Sequence, residues 1–115
     1  MTYTRLYSDA AGDTHFEDVD VPLTDRGTVG ALSALFPVTS LQFRENRADY
    51  AWDFHTAPAR QFIVLLDGEI EITTSRGDVR TFGAGQLLLV EDTTGKGHRT
   101  RNLTPQPRKS LFIQV

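Results

Sequence analysis

Apolar residues recur along this chain at alternate positions and in short runs, rather than at the three-to-four spacing of an amphipathic helix. Tyr3 to Tyr7 and His15 to Val21 read as strands joined by an Asp9–Asp13 turn, the second ended by Pro22. Leu23 to Gly30 reads as a loop, and Ala31 to Phe36 as a helical turn or two that Pro37 cuts short. Alternation resumes from Val38 to Arg44 and from Tyr50 to His55. Gln61 to Leu66 is a continuous apolar strand, and Asp67-Gly68 predicts a tight hairpin because both residues tolerate positive φ. Glu69 to Thr74 would be its return strand, followed by strands over Val79–Phe82, Gln86–Val90, Gly97–Leu103 and Ser110–Val115.

About ten short strands punctuated by glycine-rich turns predict an all-β fold, an antiparallel β-sandwich or barrel, and not alternating α/β layers. With 115 residues, 39% hydrophobic, the chain is sized for one domain spanning residues 1–115. A net charge of -3 with scattered basic residues disfavours nucleic acid as a partner. The longest apolar runs, Phe62–Leu66 and Leu87–Val90, fall far short of the roughly 20 residues that cross a bilayer, so no membrane partner is expected. The first residues carry no apolar signal-peptide block, and the expected location is cytoplasmic. The absence of cysteine excludes disulfides, thiolate ligands and a thiol nucleophile.

Candidate chemistry follows from strand parity, since residues two apart share a face. Asp53 and His55 then point the same way, as do Gln61, Ile63 and Leu65, and again His98, Thr100 and Asn102. If these faces converge, His55, Gln61 and His98 meet in one pocket, with Asp53 as a fourth member. His15 reads as an edge-strand polar residue outside the site. Phe43, Trp52, Phe54 and Phe62 read as core aromatics, and Glu91, Asp92, Lys96, Arg99 and Arg101 as solvated loop charges.

Two stretches, Trp52–Gly68 and Gly85–Asn102, resemble the paired motifs of the cupin superfamily. Gly95-Lys96-Gly97-His98-Arg99-Thr100-Arg101-Asn102 reproduces G-(x)2-H-(x)3-N of the second motif, with Gly85 as its earlier glycine. In the first, Gln61 stands where the family has glutamate and His55 where it has the first histidine, which puts Ala57 at the second. An alternative register sets Asp53 and His55 at the two histidine positions. The resemblance implies a jelly roll, or double-stranded β-helix, with a small-molecule pocket inside.

It also implies a divalent transition metal such as Fe, Zn, Ni or Mn, held here by His55, His98 and either Gln61 or Asp53. The expected function is a metal-dependent enzyme, oxygenase-like or isomerase-like, on a small polar organic substrate. The alternative is a non-catalytic binding or sensing protein without metal, in which the two changed ligand positions mark a pocket that has left chemistry behind. A homodimer is expected, because small cupins often pair through their sheets and exposed β edges need covering.

Overall fold

The computed structural model describes residues 1–115 and is built almost wholly of β-strands, with no α-helix. In chain order these are β1 (Thr2–Ser8), β2 (Thr14–Asp20), β3 (Thr24–Asp25), β4 (Ala31–Leu32), β5 (Ser40–Asn46) and β6 (Ala51–His55). They continue with β7 (Gln61–Leu65), β8 (Glu69–Thr74), β9 (Val79–Gly83), β10 (Leu87–Val90), β11 (His98–Asn102) and β12 (Arg108–Gln114). A six-stranded sheet in the order β2-β1-β10-β7-β12-β5 faces a four-stranded sheet ordered β6-β11-β8-β9. The fold is therefore an all-β sandwich, and the sheets do not close into a barrel. All pairings are antiparallel except β1 with β10, which run parallel.

The predicted hairpin at Asp67-Gly68 is a corner instead. β7 pairs with β10 and β12, whereas β8 lies in the other sheet between β11 and β9. Gly68, at φ 68°, turns the chain across the sandwich, and Asp67 Oδ1 accepts the Lys109 N–H at 2.7 Å. Short-range turn chemistry fixed the reversal, but which strands then pair depends on burying two apolar faces against each other. The helical turn expected over residues 31–36 is absent: Ala31 and Leu32 pair with Thr24 and Asp25 in a small surface ribbon around a 3-10 turn at Gly27–Val29. No residue of that segment is buried, Phe36 only resting edge-on against Phe62, so little repays the cost of nucleating a helix.

The core lies between the sheets. Leu6, Leu65, Ile70, Ile72, Phe82, Leu88 and Val90 are buried there, with Phe16 and Ile63 packed against them. Full burial of each such aliphatic side chain contributes on the order of 1.5–3 kcal/mol. Phe43 is not part of the core: on edge strand β5 it is 78% exposed beside an exposed Leu41, and Trp52 and Phe54 are about half exposed. Toward one end of the sandwich the inward residues become polar, and there the layers leave an opening.

Candidate functional site: a histidine cavity with a buried arginine

The opening is a cavity of about 220 Å³ walled by Ile63, Ile70, Ile72, Val90 and Phe112, with polar groups converging from both sheets. β7 delivers Gln61, which is buried, and β11 delivers His98 and Thr100, as strand parity predicted. β6 delivers His55 and Trp52. Ala57, at the position where the motif resemblance would put a second histidine, is buried in the same wall.

Asp53 does not join them. His98 pairs with His55 and Thr100 with Trp52, so between these pairs one residue of β11, Arg99, opposes two of β6, Asp53 and Phe54, and the ladder is interrupted there. A bulge of this kind reverses which face the following residues present. Trp52 and His55 consequently share the cavity face, with their rings stacked at 3.6 Å between centroids and 8° between planes. Asp53 is turned to the outer surface, in a shallow depression with Glu71, Arg99 and Arg101, and its Oδ1 accepts the Phe54 N–H. Simple alternation from Asp53 to His55 fails because it assumes an unbroken ladder.

The two imidazoles lie 4.6 Å apart between centroids. His55 Nδ1–H donates to the Asp53 carbonyl oxygen at 2.7 Å, and since a carbonyl can only accept, Nε2 is the ring's basic nitrogen. Burial pushes the His55 pKa below its ordinary value; the bond to the Asp53 carbonyl opposes this and neighbouring His98 adds to it. His98 Nδ1–H donates to Asp92 Oδ2 at 2.5 Å, which likewise leaves Nε2 free. Both partners of that pair are sealed off, His98 with a side chain 5% exposed and Asp92 with none exposed. Asp92 is thus a buried partner of the site and not the solvated loop charge expected from its sequence context.

The glycines of the second motif explain how the pair is seated. Gly97 has φ 75°, and its Cα lies so close to the His55 carbonyl that a side chain there would overlap it. Gly95 similarly rests against Gly12. Thr14 Oγ1 donates to the Gly97 carbonyl at 3.0 Å, and the Ala57 N–H donates to the Asp92 carbonyl at 3.0 Å. The loop before β11 is clamped from both sides, and this fixes the approach of Asp92 to His98.

At the opposite end of β11, the Asn102 amide donates to the carbonyls of Ala48, Thr104 and Gln106, while its oxygen accepts Arg108 Nε–H at 3.1 Å. Arg108 is 2% exposed, lines the cavity, and enters none of the protein's ion pairs. Its Nη1 and the Oδ1 of Asn46 are buried without partners. Burial depresses the Arg108 pKa; Tyr50 and Asp67 counter this, and Arg44 adds to it. Sequence reading missed Arg108, although extending the β12 alternation two residues back from Ser110 places it on the face of Phe112.

A resident dication does not fit this donor set. Two neutral imidazoles and the amide of Gln61 supply no negative charge, Asp53 faces away, and no group of three or more His, Asp or Glu side chains is placed to hold a metal. Of the ligands that the motif resemblance implies, His55, Gln61 and His98 line the cavity together and Asp53 does not.

No family model and no curated protein matches the chain. Among solved structures it is similar to a protein of unknown function from Streptococcus pyogenes, at 14% identity and TM-score 0.48, over 72% of this chain and 68% of that one. A protein from Neisseria meningitidis shows 15% identity and TM-score 0.46, over 65% and 71% of the two chains. A Salmonella typhimurium protein named for ethanolamine utilization shows 15% identity and TM-score 0.48, over 99% and 94%. Likenesses this distant leave function to be read from the residues of this chain.

Proposed function

We propose that this chain is a cupin-like protein that binds a small polar organic molecule between its sheets and moves a proton on it with His98. The observation that carries the reading is the buried His98–Asp92 pair on the cavity wall. Asp92 holds the ring in the Nδ1–H tautomer, so Nε2 is presented as a base, and the carboxylate stabilises the imidazolium formed when Nε2 takes a proton. Excluded water strengthens that charge interaction. The His98 imidazolium then returns the proton, while His55, kept neutral by burial, offers a second Nε2 to accept a hydrogen bond, and Trp52 fixes its ring by stacking. The apolar wall and Gln61 would orient the body of the molecule.

Incubating small hydroxy, keto and amino acids with the protein in deuterium oxide tests this, proton NMR reading the loss of acidic C–H signals. The expected result is exchange with at least one compound, abolished in His98→Gln and unchanged by a strong chelator. Exchange that survives His98→Gln, or that a chelator removes and zinc restores, contradicts it; binding without any exchange supports a sensing protein instead. A homodimer through edge strand β5 is part of the proposal, supported by the exposed Leu41 and Phe43, and sedimentation of Phe43→Glu against the unaltered chain checks it.

A further inference from the structure

From the end of the cavity remote from His98 we infer that the protein's ligand is a small organic acid, whose carboxylate docks on Arg108. This rests on the cavity being the ligand site, as proposed above, and adds what the ligand must carry. A guanidinium is always charged at neutral pH, and a buried one is stable only when its donors and charge are answered. Here Nε is answered by Asn102, but Nη1 is buried with no partner, and no carboxylate lies within ion-pairing distance.

Asp67 partly offsets the charge from a distance without pairing with it, and Arg44 adds to it. Arg44 enters the same wall, its guanidinium 3.7 Å from the Phe112 ring centroid, so two cations face one cavity. The planar fork of Arg108 matches a carboxylate. Asn46, opposite Arg108 in the β5–β12 ladder, holds out a buried, unpaired Oδ1 beside it, which suits a hydroxyl or N–H on the same molecule.

Size and spacing restrict the ligand further. A cavity of about 220 Å³ holds roughly seven waters at ~30 Å³ each, and hence a molecule of roughly six to ten non-hydrogen atoms. Arg108 is fastened to Asn102 and the base is His98, at opposite ends of a five-residue strand. An acid held on Arg108 would extend along β11 toward Nε2 of His98. Arg108 acts here by binding the ligand, and His98 by chemistry on it.

Matched pairs of an acid and its neutral amide test the inference by calorimetric titration: lactate against lactamide, and benzoate against benzamide. The expected result is that the acid of at least one pair binds at least tenfold more tightly than its amide, that Arg108→Gln removes the preference, and that Arg108→Lys keeps part of it. Circular dichroism checks the fold of each variant. If Arg108→Gln does not fold, the side-chain N–H resonances of Arg108 in the unaltered protein must shift on adding the acid and not on adding the amide. Equal binding of acid and amide, no binding of any of the four, or an undiminished preference in folded Arg108→Gln overturns the inference. His98→Gln separates the two claims: it should keep the acid preference and lose deuterium exchange. Acid preference without His98-dependent exchange would leave the anion site standing and remove the proton-transfer reading.

Discussion

Replacing Gly97 with alanine probes the seat of both histidines at once. The residue sits at φ 75°, where an L side chain is strained, and an added Cβ would overlap the His55 carbonyl group and lie 2.9 Å from the Thr56 nitrogen. Left-handed backbone costs alanine about 1–2 kcal/mol. Relieving the overlap means displacing the end of β6, a change comparable to overpacking a core at about 1–3 kcal/mol. The sum, about 2–5 kcal/mol, is a large part of the 5–15 kcal/mol that typically stabilises a domain. Gly77 separates the two contributions, because its φ is 88° yet nothing lies within 4 Å of a Cβ built there. Gly77→Ala should lose only the backbone contribution, about 1–2 kcal/mol. Urea unfolding of both variants measures the difference, read as a shift in midpoint at unchanged slope. Equal losses in the two variants would refute the close approach of Gly97 to β6.

Two further predictions concern the site. Asp92→Ala strands a buried His98 N–H and should cost about 1–3 kcal/mol, whereas Asp92→Asn retains an acceptor and should cost less; equal costs, measured by the same unfolding method, would argue against the hydrogen bond. His55 has a depressed pKa in the folded protein, so the unfolded chain takes the proton first. Its contribution to stability is complete above the unfolded value of about 6.5 and is lost as pH falls through that value toward the folded one. Unfolding at pH 7.5 and 5.5 should therefore show a smaller pH-dependent loss in His55→Gln than in the unaltered chain, and a larger one would reverse the sign.

Much of this architecture is legible in the sequence, because a sandwich strand needs only alternation and a turn on either side. The apolar strand from Gln61, the inward set His98, Thr100 and Asn102, and the glycines before His98 are all visible there. What escaped depends on distant parts of the chain. A bulge shows only when β6 and β11 are laid side by side, and it moves Asp53 out of the site and Trp52 in. Asp92 looks like any loop acid until the clamps from Thr14 and Ala57 fold its loop over His98. Arg108 follows two prolines at a strand start, where a basic residue suggests solvent, and only the closing of β12 between β5 and β7 buries it.

The central claim is that Asp92 holds His98 with Nε2 as a base on the cavity wall, and long-range proton–nitrogen correlation NMR of the imidazoles measures it without needing a substrate. For the neutral ring the account predicts the His98 Nδ1–H tautomer, with Nε2 resonating as an unprotonated nitrogen, and loss of that fixed tautomer in Asp92→Ala. A His98 that carries its proton on Nε2, or whose tautomer is indifferent to Asp92, would contradict it.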